Sequence, residues 1–77
     1  MRITKEIAEK NIGRYYDRYN RQSKHCGSYP RLIIRYPNGK LAYKRIKDEV
    51  CSPFDFDSDF NAEYADYFFD SLDECKE

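Results

Sequence analysis

This sequence lacks the long apolar runs that mark membrane-spanning or exported chains. No uninterrupted apolar run in the 77 residues approaches the length of about 20 residues that a transmembrane helix needs. The first six residues contain no apolar signal-peptide core. The three cysteines, Cys26, Cys51 and Cys75, are an odd and widely spaced set, which is atypical of small disulfide-bonded secreted domains. We therefore expect free thiols, no membrane association and a cytoplasmic location.

A catalytic constellation is also missing. The chain has one histidine, His25, and neither a glycine-rich phosphate loop nor a serine-centred motif. His25 directly precedes Cys26, whereas a nucleophilic thiol needs its base held across the site, and the cysteines lack the paired spacing of zinc ligands. The aspartates from Asp55 onward are spaced as in a calcium loop, but Phe60 stands where that loop requires glycine. We predict no enzyme activity, no cofactor and no metal site.

Large apolar side chains are scarce, since Leu, Ile, Val and Phe together number 15, near the composition at which chains stop folding. Eight tyrosines and five phenylalanines offset this shortage, because each large ring buries about 150–250 Å². We expect one small domain, residues 1–77, with an aromatic core. We also consider a homodimer, because self-association would stabilise so small a core.

Net charge is absent as well, since 14 basic and 14 acidic residues cancel. Residues 1–48 contain 13 Lys or Arg against four Asp or Glu, and residues 49–77 contain one Lys against ten Asp or Glu. The local charges are therefore +9 and −9. Such asymmetry indicates either charged partners or contacts between the two halves within the fold, and the sequence leaves that choice open.

The pattern of residues 4–22 predicts an N-terminal helix. Thr4 is a suitable N-cap, because its hydroxyl can accept a hydrogen bond from a first-turn N–H. Four apolar residues share one face of this helix at the expected spacing: Ala8, Ile12, Tyr15 and Tyr19. Residues 23–30 are predicted to form a loop, since Pro30 disfavours helix at the residue before it.

Residues 31–36 and 40–46 flank the tripeptide Pro-Asn-Gly at 37–39, a pattern that predicts a β-hairpin. A two-residue turn at Asn-Gly pairs Ile34 with Tyr43 and collects most apolar residues on one face. A type I turn with a bulge at the glycine shifts the pairing by one residue, and proline suits the second position of that turn. The apolar alignment favours the first register.

The last third of the chain predicts a short strand and then an acidic helix. Phe54 and Phe56 alternate with aspartates, which is compatible with a third strand. Residues 59–74 carry an apolar stripe at helical spacing, with acidic residues on the opposite side. The predicted fold class is α+β: a helix, a β-hairpin with a short third strand, and an acidic C-terminal helix, with both helices packed on one sheet face.

The acidic stripe suggests a small protein-binding module that is not an enzyme, a regulator or inhibitor that contacts a basic partner surface. A row of carboxylates can imitate a phosphate backbone, a character shared with phage-encoded inhibitors that occupy basic grooves. Complementary charge would chiefly raise the association rate and the specificity. The predicted partner-binding residues are Asp59, Glu63, Asp66, Asp70 and Asp73.

The alternative hypothesis is nucleic-acid binding by the basic half. Cations and tyrosines interleave in residues 14–21, and the hairpin adds further positive charge. Such a surface can neutralise phosphates and stack bases, although no known nucleic-acid-binding motif is present. The residues of this alternative are Arg14, Arg18, Arg21, Arg35, Lys44 and Arg45.

Overall fold

A computed structural model describes residues 1–18 and 29–72 of the chain. Its elements are helix α1 (Lys5–Lys10) and strands β1 (Tyr15–Asp17), β2 (Pro30–Arg35), β3 (Leu41–Arg45) and β4 (Cys51–Pro53). The strands form one antiparallel sheet in the order β1-β2-β3-β4. The described residues therefore form a small α+β fold with one short helix, which confirms the predicted class. In this part of the chain, no helix has the length and apolar character needed to cross a membrane.

Helix α1 is much shorter than predicted. It begins where expected, since the Thr4 hydroxyl accepts a hydrogen bond from the Ile7 N–H at 3.3 Å. It ends at Lys10, and Gly13 then adopts φ +87°, a left-handed conformation that reverses the chain. The predicted helix over 4–22 is therefore wrong from residue 11 to residue 18, and its last residues lie outside the described part of the chain. So do residues 23–28 of the loop predicted over 23–30, whose last residue, Pro30, begins β2.

Strand β1 replaces the predicted helix at residues 15–17. Tyr15, Tyr16 and Asp17 pair with β2, and the Ile33 N–H extends the ladder by donating to the Arg14 carbonyl at 3.0 Å. Aromatic residues favour strands. Pairing with β2 gives the backbone N–H and C=O groups the hydrogen bonds that a helix would have given them locally. Tyr16 is fully buried in this arrangement, so tertiary pairing has overridden the helical spacing.

The β2–β3 hairpin adopts the bulged register. The Gly39 N–H donates to the Tyr36 carbonyl at 2.9 Å, and the Tyr36 N–H donates to the Lys40 carbonyl at 2.9 Å. Gly39 has φ +88°, as the bulge position of a type I turn requires. The favoured two-residue turn is therefore wrong and its alternative is confirmed. The reason is Pro37, which in a two-residue turn would close the ladder opposite Lys40 but has no N–H to donate.

One face of the sheet carries the core. Opposed residues share a face and successive residues alternate, so the register places Tyr16, Arg31, Ile33 and Tyr43 on the same side. The other buried members of the core cluster come from the N-terminal segment, α1, β3 and the C-terminal segment: Ile3, Ala8, Leu41 and Ala65. Five half-buried side chains pack against them: Ile7, Tyr43, Phe54, Phe56 and Phe68. Tyr16 is the single aromatic residue among the six fully buried members, whereas four of the five half-buried members are aromatic. The described core is therefore aliphatic at its centre and aromatic at its margin, which confirms the predicted aromatic core only in part.

Strand β4 takes the place of the predicted third strand, and it lies earlier in the chain than the alternation of Phe54 and Phe56 with aspartates suggests. Strand β4 pairs Ser52 with Tyr43 of β3. It ends at Pro53, which is tolerated because β4 is an edge strand. The Phe54 ring then packs against Tyr43 and Phe56, with ring centroids 5.3 Å apart in both pairs.

The acidic segment, residues 59–71, contains turns, bends and two isolated bridge residues but no helix. Its backbone pairs with the N-terminus, since the Ile3 N–H donates to the Glu63 carbonyl at 2.9 Å. It then pairs with β1, where Tyr15 and Phe69 exchange two hydrogen bonds of 2.8 Å. The predicted helix over 59–74 is wrong as far as residue 71, and residues 73–77 lie outside the described part. These long-range partners replace the local hydrogen bonds of a helix.

Gly13 provides a test of this chain path. Changing Gly13→Ala is expected to lower the free energy of unfolding by about 1–2 kcal/mol, because a left-handed conformation is costly for alanine. A continuous helix over 4–22 would give the opposite sign, since alanine would gain about 1 kcal/mol over glycine. Urea unfolding measures the difference. Gly13→Asn is the control and should lose less, because asparagine tolerates this conformation.

Candidate protein-binding surface

Glu63 is the centre of a buried ionic cluster on the core face of the sheet. Its side chain is 2% exposed, and Oε1 accepts hydrogen bonds from the Tyr16 hydroxyl at 2.8 Å and from Nη1 of Arg31. Nε of Arg18 lies 3.5 Å from Oε2. The acidic segment thereby brings one carboxylate to residues that lie 47 and 32 positions away along the chain.

The surroundings of Glu63 shift the titration of its partners. Burial, followed by the charge and the hydrogen bond of Glu63, raises the pKa of Tyr16 far above its usual value. Burial opposes the charged form of Arg31, but the Glu63 carboxylate outweighs it and raises the pKa of that guanidinium. The Arg31 guanidinium also lies 4.6 Å from the centroid of the Tyr43 ring, a favourable cation–π distance.

This cluster has a structural role, because it joins the Glu63 side chain to Tyr16 of β1 and Arg31 of β2. Its donors already satisfy the Glu63 carboxylate, and the side chains of Glu63 and Arg31 are 2% and 8% exposed. Glu63 is therefore not available to a partner in this structure, which corrects its place among the predicted contact residues.

Three of the predicted acidic contacts remain on the surface, each paired with the N-terminal half. Asp59 lies 2.6 Å from Nη1 of Arg2, and Asp70 lies 2.7 Å from Nε of Arg14. The carboxylate of Asp66 contacts the terminal amino group. The hydrogen bond and charge of Arg14 lower the pKa of Asp70. Asp73, the remaining predicted contact, lies outside the described residues. The opposite charges of the two halves are thus partly neutralised within the fold.

Phe60 belongs to the apolar stripe of the predicted C-terminal helix, which was expected to pack on the sheet, but its side chain lies outside the core. Phe60 is 90% exposed, and the exposed residues Asp55, Asp57 and Asp59 precede it. We call these four residues the acidic loop. The turn formers around Phe60 were the missed signal, since the Ser58 hydroxyl accepts a hydrogen bond from the Asn61 N–H at 3.2 Å.

Arg2 holds the acidic loop in place. Its Nη2 donates to the carbonyls of Phe56 and Ser58, each at 3.0 Å, while Nη1 pairs with Asp59. Within the described residues, no three acidic, histidine or cysteine side chains gather as metal ligands would. The loop presents separate carboxylates around an exposed ring, an arrangement suited to contact with cations and an apolar pocket.

The residues of the nucleic-acid alternative are spread over the fold. Several are engaged in ion pairs: Arg14 with Asp70, Arg18 with Glu63, Lys44 with Glu49 at 3.8 Å, and Arg45 with Asp48 at 3.0 Å. The register places Arg35 and Arg45 at opposite ends of the core face and Lys44 on the other face. Arg21 lies outside the described residues. The structure does not bring the remaining five onto one surface, and nucleic-acid binding stays a prediction.

Removing the charge of Glu63 tests the structural role of this buried ionic cluster. Glu63→Gln is expected to lower the free energy of unfolding by about 3–5 kcal/mol, because Arg31 keeps a buried charge without its counterion. The control replaces all three groups by apolar residues, Tyr16→Phe with Arg31→Met and Glu63→Leu, and should lose less. Urea unfolding compares the variants. A triple variant less stable than Glu63→Gln would contradict this view of the cluster.

The raised pKa of Tyr16 predicts a pH dependence at the alkaline end. The unfolded tyrosine titrates near pH 10, whereas folded Tyr16 keeps its proton to higher pH. The stability from its neutral form is complete below about pH 10 and decreases above it by about 1.4 kcal/mol per pH unit. Tyr16→Phe lacks this titration, so the wild-type advantage over it should shrink above pH 10 in unfolding measurements. An advantage unchanged up to pH 11 would contradict the assignment.

Comparisons with known proteins identify no relative. No protein-family model matches the chain, no curated protein matches it, and no solved structure matches it. The functional interpretation therefore depends on the geometry of the chain's own residues.

Proposed function

We propose that this chain is a small non-catalytic protein-binding module, a regulator or inhibitor, that contacts a basic partner surface through its acidic loop with Phe60 as the apolar anchor. The 90% exposure of Phe60 carries this proposal. Among the described residues the next most exposed large apolar side chain, Met1, is 57% exposed. A moderately exposed apolar residue is ordinary, but an almost fully exposed phenylalanine leaves most of its burial energy available to a partner.

The chemistry around Phe60 indicates what the partner offers. Residues 54–70 contain six acidic residues and no basic one. Binding energy at protein interfaces concentrates on aromatic anchors that fill pockets and are surrounded by polar contacts. The acidic loop supplies both parts, so the matching surface is an apolar pocket with a basic rim. Asp55 and Asp57 have no ion pair within the described residues, so their charge is available to speed association with a basic surface.

The support from Arg2 also favours binding. Its three hydrogen bonds tie the loop backbone and Asp59 to the N-terminal segment. A loop held in one conformation loses less conformational entropy when it binds. We also propose a cytoplasmic location, in agreement with the exposed free thiol of Cys51.

A photoreactive phenylalanine analogue at position 60 tests the proposal in cells of the source organism. We expect discrete adducts with a cellular protein other than the chain itself, because the ring enters a defined pocket. The same analogue at position 12 is the positional control, since Ile12 is 41% exposed but lies in the basic half.

The charge requirement has its own matched control. Asp55→Asn with Asp57→Asn should reduce the adduct yield, because these variants remove two of the rim contacts. Glu6→Gln with Glu49→Gln removes two exposed carboxylates that belong neither to the acidic loop nor to its surroundings and should leave the yield unchanged. Absence of a heterologous adduct at position 60, or an equal loss in both double variants, would contradict the proposed function.

A further inference from the structure

A groove of about 400 Å³ lies between α1, the tip of the β2–β3 hairpin and the end of β4. Its apolar part comes from Leu41, Phe54 and Phe56, and the two phenylalanine rings are stacked at 5.3 Å with planes 12° apart. This volume is within the range of pockets that hold small groups. We call it the basic groove because of the side chains at its rim.

The rim of the basic groove is positively charged. Three exposed cations line it, Lys5, Arg35 and Lys40, against one exposed carboxylate, Glu9. Nη1 of Arg35 donates to the Gly39 carbonyl at 3.0 Å, which holds that side chain at the hairpin tip. The groove thus has the two features that the acidic loop requires, an aromatic floor and a cationic rim.

The groove and the acidic loop are adjacent in the same molecule. Phe56 belongs to the groove and Phe60 to the loop, and four extended residues span at most about 14 Å. Arg2, which fixes the loop through the Phe56 and Ser58 carbonyls, stands three residues before Lys5 of the rim. Phe60 is nevertheless 90% exposed, so it does not occupy the groove of its own chain.

We propose that the basic groove receives Phe60 and the acidic loop of a second copy, and that two copies exchange this contact reciprocally in a two-fold symmetric dimer. A two-fold interface requires complementary patches that lie together on one surface, so that each copy gives and receives the same contact. The charges agree, because exposed Asp55, Asp57 and Asp59 meet a rim of three cations.

This inference depends on the proposed function, because it names a second copy as one partner of the same loop. Dimerisation would cover the loop, so self-association and binding to another protein would exclude one another. Two exchanged rings at about 150–250 Å² each are a modest apolar contribution, so we expect a reversible dimer that is sensitive to concentration and salt.

Sedimentation analysis of the purified chain tests the dimer. We expect the mass to rise with concentration from 9.3 kDa toward twice that value. Phe60→Ser should raise the dissociation constant at least about tenfold, as loss of an interface anchor does. Ile12→Ser is the control for an exposed apolar side chain and should not change the constant. A chain that stays monomeric at about 1 mM would overturn the proposal, because even weak association is visible there.

A charge exchange tests which surfaces meet. The groove variant carries Lys5→Glu and Lys40→Glu, and the loop variant carries Asp55→Lys and Asp57→Lys. Each variant alone should be monomeric, and an equimolar mixture should dimerise again because both contacts then join opposite charges. A mixture that stays monomeric, or variants that dimerise alone as tightly as the wild type, would overturn the proposal. Adducts of position 60 with another protein are measured separately and do not require the dimer, so failure of the dimer would leave the proposed function standing and the two failures are distinguishable.

Discussion

The buried carboxylate of Glu63 is the constraint on which the rest of the structure depends. Removing a carboxylate from water is costly unless charges and hydrogen bonds replace the lost hydration. Tyr16 and Arg31 provide that replacement from β1 and β2, so the segment around Glu63 must lie across the core face of the sheet. The same segment pairs its backbone with Ile3 and β1. A non-helical path follows, because a helix could not serve all these partners together.

This path decides how the divided charge of the chain is used. Residues 59–70 pack against the N-terminal region. Three of their carboxylates, Asp59, Asp66 and Asp70, therefore form ion pairs with Arg2, the terminal amino group and Arg14 respectively. The remaining imbalance is local. Asp55 and Asp57 form no ion pair with the described residues, and the rim of the basic groove has one carboxylate beside three cations. The zero net charge therefore reflects both internal neutralisation and two surface patches of opposite sign.

Sequence reasoning succeeded where structure is local. Thr4 marks the start of α1, and the Pro-Asn-Gly tripeptide marks the hairpin, because caps and turns depend on neighbouring residues. The hairpin register is the exception, since the local effect of Pro37 decided it against the favoured apolar alignment. Sequence reasoning failed where distant partners decide. Spacing alone assigned the tyrosines of β1 and the carboxylates of the acidic segment to helices, although pairing with β2 and with Ile3 determines them. Gly13 was the local signal against the first helix. The role of Glu63 had no local signal, because its partners lie 32 and 47 positions away.

The exposure of Phe60 follows from the same constraint. Glu63 and Ala62 are buried, and Phe56 is packed against the core, so the residues between these anchors must cross from one to the other over the surface. Arg2 binds the carbonyls of Phe56 and Ser58 and thereby fixes the direction of the turn. Because Phe56, Ser58 and Ala62 are all held in place, Phe60 cannot fold back into the neighbouring basic groove without breaking these contacts. Burial of this ring is therefore available at lower cost in another molecule than in its own.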